Sequence, residues 1–374
     1  MSNKKILLKG YYGFGNLGDD LLFICNYNLL SRLFPESEID VFTESHYADY
    51  LSILSSRQQA IIRSGNTGSY DIIWHGGGGV FFDFNEGGKL SLIMNKAILL
   101  VGSKIYTRAY TVSKRILGKP EIRYKKRIGF GIGVGGFTPS SKKFRHSICQ
   151  LSSFDCLVVR DQESRKSALQ VCPSLNVLVA TDIVFDKSLW KEFLIKKNTA
   201  NKTAKRIAII LRDWIMSDGY NYFEDVYSVA VKLKAKGLQV EFFAFDAHTD
   251  QAYISFFTEK GIDVHTWKPE AMKLASYIAL LAEQDLIITS RFHGAVVGAC
   301  LGIPGICLNI EPKLEAVPEM LGESYHLEAL PVGNLFNAAL NMLAQEGSAE
   351  KLDKALADNR AKLERAYKAI ENIL

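Results

Sequence analysis

Short β-branched and leucine-rich runs alternate along the chain with longer stretches whose apolar positions recur every three or four residues. This alternation predicts repeated βαβ units built on mostly parallel sheets. In the first half the pattern places strands at 5–9, 39–43, 71–75, 127–132 and 156–160. A second series follows at 206–211, 239–245, 263–265, 285–289 and 305–308, with helical patterns such as 222–236 and 270–283 between its members. The final stretch, 349–374, carries Leu352, Leu356, Leu363, Ala366, Ile370 and Leu374, one buried stripe on a long helix. The expected class is α/β, with two Rossmann-like domains facing a cleft and a C-terminal helix. Residues 1–188 form the first domain, a lysine-rich, turn-prone linker runs from 189 to 205, the second domain covers 206–345, and the helix takes 346–374.

Composition narrows the function. A length of 374 residues suits two cores at ~150 residues each. With 48% hydrophobic and 23% charged residues the chain is neither disordered nor fibrous. Lys and Arg total 45 against 40 Asp and Glu, and a net charge of +5 over this length is too mild for a nucleic-acid binder. The six cysteines form no CxxC pair and no zinc-like spacing with the seven histidines, which predicts reduced thiols, no metal and a cytoplasmic protein. No signal-like segment opens the chain, and the apolar stretch 294–308 is too short and too rich in glycine to span a bilayer.

Three predicted strands run into glycines, at Gly10 to Gly18, Gly76 to Gly79 and Gly131 to Gly136. In open α/β sheets the ligand crevice lies beyond such strand ends. Gly13-Phe-Gly15-Asn-Leu-Gly18 has the spacing of a dinucleotide loop, and Glu44 stands near the position of a ribose-binding acid. Asp19 and Asp20 argue against that reading, because carboxylates at a helix N-terminus repel a pyrophosphate and instead cap the helix 21–33. The Gly76 to Gly79 run reads either as a tight backbone crossing or as a wall of N–H groups for an anionic or sugar ligand. The densest chemistry lies in Thr289-Ser290-Arg291-Phe292-His293-Gly294, where a strand ends and a helix with a small-residue face begins. Arg291 and His293 there, and Arg212 after the first strand of the second domain, point to an anion site at a helix N-terminus. Arg160, beside Asp161, is open to a structural or a binding role.

Taken in order, Gly15-Asn16-Leu17-Gly18-Asp19-Asp20, the Gly76 to Gly79 run, Arg160-Asp161 with Ser164, Thr181-Asp182, Arg212, Ser290-Arg291-Phe292-His293, Gly302-Ile-Pro304 and Pro312-Lys313 resemble the polysaccharide pyruvyl transferase family. The resemblance implies a GT-B-like fold and transfer of pyruvate from phosphoenolpyruvate to two sugar hydroxyls as a ketal, without a further cofactor. On that reading His293 is the acid, and Arg212, Arg291, Ser290 and Gly294 bind the donor. Asn16, Asp19, Asp20, Gly77, Gly78 and Asp83 are acceptor-side candidates, with Arg160 and Lys313 as additional contacts. The chain departs from the family at Asp20, where Glu is commoner, and at Glu311, where an aromatic is more typical.

The stretch 104–127 opens on Lys104, closes on Arg127 and holds nine basic residues against one acid. It reads either as a solvated helix face or as a peripheral dock for an anionic inner-membrane surface, which would suit a lipid-linked oligosaccharide acceptor. The competing functions are a GT-B glycosyltransferase with a nucleotide-sugar donor and a catalytically silent sugar-binding or assembly protein.

Overall fold

The fold comes from a computed structural model that describes residues 3–44, 48–54, 60–62, 68–83, 93, 95, 98, 122–137, 142–194, 204–214, 220–269 and 272–374. The chain divides into two units. Unit 1 comprises Met1–Phe14, Leu22–Ile183 and Lys362–Leu374; unit 2 comprises Gly15–Leu21 and Val184–Ala361.

Unit 1 is built on the strands β1 (Lys5–Lys9), β2 (Glu38–Phe42), β3 (Ala60–Ile62), β4 (Ser69–Asp83), β5 (Arg123–Phe137), β6 (Cys156–Val159) and β7 (Val177–Val179). They lie in the order β3-β2-β1-β4-β5-β6-β7, and every pair is parallel. Helix α1 (Leu17–Leu33) follows β1, and α2 (Leu51–Leu54), α3 (Lys142–Leu151) and α4 (Gln162–Val171) follow later strands. Apolar residues fill both faces of β1, β4 and β6, as a covered parallel sheet requires.

The glycine run corrects the sequence reading. Strand β4 does not stop at His75; Gly76 to Gly79 continue it and pair with residues 130–133 of β5. A Cβ at Gly76 would stand 2.3 Å from the Tyr12 hydroxyl and 2.5 Å from Asn26, and one at Gly77 would stand 2.5 Å from Leu22. The glycines therefore let α1 and Tyr12 lie directly on the strand, and the Tyr12 hydroxyl donates to the Gly76 carbonyl at 3.0 Å. Below them Trp74 donates to Asn26 Oδ1 at 2.8 Å, and a stack of Trp74, Phe130 and Tyr367 ties the last turns of the chain into this unit.

Unit 2 holds β8 (Arg206–Ile210), β9 (Gln239–Ala244), β10 (Val264–Thr266), β11 (Leu286–Thr289), β12 (Gly305–Leu308) and β13 (Tyr325–Glu328), ordered β10-β9-β8-β11-β12-β13 and all parallel. Its helices are α5 (Tyr222–Ala235), α6 (Gln251–Glu259), α7 (Leu274–Ala282), α8 (Phe292–Cys300), α9 (Val317–Leu321), α10 (Leu335–Ala344) and α11 (Ser348–Glu371). Strand order reverses between β8 and β11, the topological switch point at which open α/β sheets bind ligands. Helix α8 packs close because its inner face is small: a Cβ on Gly294 would meet Thr289 Oγ1 at 2.2 Å, and one on Gly298 would meet Ile287 at 2.4 Å.

The units divide differently from the expected domains. Residues 184–194 belong to unit 2, where Leu189 and Trp190 are buried and the Trp190 indole donates to the Val184 carbonyl at 2.9 Å. Of the expected linker, residues 195–203 lie outside the described residues. Helix α11 is assigned in two parts, with Lys362–Leu374 in unit 1, and Gly15–Leu21 at the start of α1 counts with unit 2.

Candidate functional site

At the switch point of unit 2, the ends of β8 and β11 are knitted together by their backbones. Ser290 N–H donates to the Ile210 carbonyl at 3.0 Å, and Arg212 N–H donates to Ser290 Oγ at 2.9 Å. The buried Tyr222 hydroxyl lies 3.0 Å from Ser290 Oγ and donates to the Arg212 carbonyl. Ser290 is fully buried, and its hydroxyl ties the two strand ends together. The Gly294 N–H donates to the Arg291 carbonyl at 2.9 Å, closing the first turn of α8.

The three basic side chains at this end have different fates. Arg291 is turned inward and only 8% exposed; its guanidinium donates to Asp250 and, at 3.4 Å, to Thr249. Burial pushes the Asp250 carboxyl up to about 6, while the charge and hydrogen bond of Arg291 pull it down. Arg291 therefore braces the entry to α8 through Asp250. Arg212 lies beside the Trp214 ring at 5.3 Å, and its Nη1 donates to both carboxylate oxygens of Glu311, at 3.0 and 3.2 Å. Lys313, in the 3-10 turn Pro312–Ala316, reaches the same Glu311 carboxylate at 2.7 Å. Arg212 and Lys313 each keep about a third of their side chains exposed, so they are the cations that a ligand can meet.

The N-terminal motif completes this site. Leu17 N–H donates to the Phe245 carbonyl at 2.9 Å, and Asn16 forms an antiparallel bridge with Asp246 and donates to its carboxylate at 3.3 Å. Asn16 Oδ1 also caps α1 by accepting from Gly18 and Asp19 N–H at 3.0 and 3.3 Å. Asp20 is buried and accepts from the Trp267 indole at 2.8 Å. The His293 side chain lies against Gly18, where a Cβ would stand 2.2 Å from Nδ1. Burial pushes the Asp19 carboxyl up to about 6, against the pull of His293, Lys313 and Arg291 and with a further rise from Asp246. Asn16, Asp19 and Asp20, expected on the acceptor side of the first domain, thus stand with His293 in unit 2.

The remaining candidates lie in unit 1. Gly77 is buried beneath Leu22; Gly78, at φ +88°, continues the strand. Arg160 is 6% exposed, packs its guanidinium on Gly133 and pairs with Asp161 at 3.3 Å, while Asp161 caps α4 by accepting from Ser164 N–H at 2.6 Å. Asp83 ends β4 and its side chain lies outside the described residues, as do residues 104–121 of the basic stretch. The described end of that stretch is strand, not helix: Lys125 pairs with Asp71 at 2.7 Å, Lys126 with Asp155 at 3.8 Å, and Arg127 donates to His75 Nε2 at 3.0 Å. Burial first, then the charges of Arg127 and Lys9, hold His75 well below the usual imidazole value.

A family model described as polysaccharide pyruvyl transferase matches residues 16–312, opening on the Asn16 cap and closing just past Glu311. The chain belongs to the polysaccharide pyruvyl transferase family. No curated protein matches its sequence. Among solved structures it is similar to the UDP-GlcNAc 2-epimerase of Neisseria meningitidis bound to UDP-GlcNAc, at 10% identity and a TM-score of 0.53 over 98% of this chain and 99% of that one. It is also similar to the UDP-GlcNAc 2-epimerase of Methanocaldococcus jannaschii in complex with UDP-GlcNAc and UDP, at 12% identity and a TM-score of 0.54 over 94% and 99%. The Anabaena protein Alr3699/HepE in complex with UDP and glucose matches at 13% identity and 0.54 over 99% and 100%. At such identities the likeness is one of fold, and it agrees with the GT-B-like α/β architecture expected from the sequence.

Sequence reasoning about this pyruvyl transferase family member missed Asp250, Tyr222 and Trp267, which hold site residues in place, and offered Asp246 or Asp213 as a partner for Arg212, whereas Asp246 takes Asn16 and Arg212 takes Glu311. A signal for Asp250 was present in Asp246-Ala-His-Thr-Asp250, which follows the β9 strand end. Among the described residues no group of three or more His, Cys, Asp or Glu is placed to hold a metal, and no helix is long and apolar enough to cross a membrane.

Proposed function

We propose that this protein transfers pyruvate from phosphoenolpyruvate to two hydroxyls of a sugar, in a cell-surface polysaccharide or its lipid-linked precursor, on the cytoplasmic side of the membrane and without a resident cofactor. The observation that carries the reading is the meeting of one histidine, one half-buried carboxylate and two partly exposed cations at the switch point: His293, Asp19, Arg212 and Lys313. Phosphoenolpyruvate is a small ligand with a carboxylate and a phosphate, and guanidinium and ammonium groups close together suit both.

His293 protonates the donor methylene carbon, which becomes the methyl group and leaves the adjacent carbon electrophilic. A sugar hydroxyl forms its C–O bond there and gives up its proton, for which Asp19 is the acceptor at hand; Asp20 is held by Trp267. The C–O bond to phosphate then breaks, the second hydroxyl closes the ketal, and its proton leaves with inorganic phosphate. Arg291 acts through Asp250 by fixing the turn that carries His293.

Incubation with phosphoenolpyruvate and a panel of galactosides, glucosides and mannosaminides tests the reading, with phosphate release and the mass of a pyruvate ketal followed together. Matched phosphate and ketal are expected. Thermal stabilisation by UDP-sugars and none by phosphoenolpyruvate would instead favour a nucleotide-sugar transferase.

A further inference from the structure

The exposed cations of the site already hold an anion of the protein's own. Both oxygens of Glu311 lie within 3.2 Å of Arg212 Nη1, and Lys313 Nζ lies 2.7 Å from Oε1. Glu311 occupies the N-cap position of the 3-10 turn but makes no side-chain cap bond. Its side chain is 10% exposed, whereas those of Arg212 and Lys313 are 32% and 31% exposed. The backbone of Arg212 is fixed by Ser290 and Tyr222, so the freedom in this cluster lies in the two long cationic side chains and the Glu311 carboxylate. A carboxylate tethered beside its partners competes at a high effective concentration, and any anion arriving from solution meets a site that is only fractionally open.

We propose that Glu311 sets how tightly an anion must bind to enter this site. Its carboxylate occupies the anion position on Arg212 and Lys313 and must be displaced, so weak single-handled anions are kept out at ordinary concentrations while a ligand with both a carboxylate and a phosphate enters. The proposal rests on the donor reading above. Because every anion faces the same competitor, removing the Glu311 charge strengthens all of them by a common factor and does not change their rank.

Titration calorimetry on the full chain tests this with phosphoenolpyruvate, pyruvate and inorganic phosphate as probes. Glu311→Gln, which keeps shape and loses charge, is expected to tighten binding of each probe that binds by roughly 10-fold, the scale of two partly exposed ion pairs. Glu311→Ala should do the same, and adding Arg212→Ala to Glu311→Gln should abolish the gain. Melting curves of each variant confirm that folded protein is compared. Unchanged or weaker binding in both Glu311 variants overturns the proposal, even if the wild-type protein transfers pyruvate. Tighter phosphate binding with no binding of phosphoenolpyruvate by any variant upholds the role of Glu311 and removes the donor reading.

Discussion

The two sheets share a strand order from their third to their sixth members, and both bring glycine or arginine to the carboxyl ends of strands beside the switch point. Yet they treat that position differently. In unit 1 the space beyond the end of β1 is filled from within: Tyr12, Asn26 and Leu22 cover Gly76 and Gly77 of β4, and Arg160 is buried against Gly133 and Asp161. In unit 2 the corresponding ends carry Arg212, Ser290 and His293, with Asp19, Glu311 and Lys313 beside them. A glycine run thus marks close approach of something, and only the neighbours decide whether that is a ligand or the protein's own helix. Charged side chains that retain exposure are the better marker.

The comparison breaks if unit 2 chemistry is dispensable. His293→Gln should lose ~10²-fold or more in turnover with a melting temperature close to the parent, as expected of a general acid; near-normal turnover would remove His293 from the reaction. Gly76→Ala tests the opposite unit. Its Cβ meets Tyr12 and Asn26, so a loss of about 1–3 kcal/mol in stability is expected, with turnover per folded molecule preserved. Denaturant melts paired with active-fraction kinetics distinguish these outcomes, and a stable but inactive Gly76→Ala protein would return the glycine run to the active site.

Asp19→Asn sharpens the contrast through pH. The folded-state carboxyl titrates at about 6 and the unfolded one near its ordinary 3.8, so the folded protein binds more protons between these values. Ionised Asp19 therefore costs stability that is absent below pH 3.8, grows with rising pH and is complete above pH 6. The asparagine variant should be more stable by about 1–2 kcal/mol at pH 7.5, allowing for partial solvation, and should match the parent near pH 3.5. It should also lose the acidic limb of the turnover profile near pH 6. Equal melting curves at both pH values would deny Asp19 its buried charge. The smallest effect is expected in unit 1, where Asp161→Ala removes a helix cap and should cost about 1 kcal/mol by chemical denaturation.

Most of this architecture is legible in the apolar pattern, because a parallel strand buried on both faces writes itself as a continuous run. Ile207 to Leu211 and Leu286 to Ile288 are wholly buried and were read as strands on that ground. The edge strands β3, β7 and β13, three or four residues each, are too short to impose a period, and β4 and β5 outrun their apolar segments because glycine carries no hydropathy signal. At the site, residue types that attract anions were visible; their partners were not. Arg291 finds Asp250 across 41 positions and Arg212 finds Glu311 across 99, distances at which only the finished packing decides who pairs.

Asn16 and Asp20 make their bonds to Asp246 and Trp267 across 230 and 247 positions, so the order in which a ribosome delivers these pieces matters. At ~5–20 residues per second, the opening motif waits on the order of 10–50 s before its partners exist. During that interval Leu17 and Leu21, buried in the finished protein, have only the residues that precede Asp246 to meet. Vectorial synthesis therefore makes this short segment wait for its partners, although it is among the first to be made.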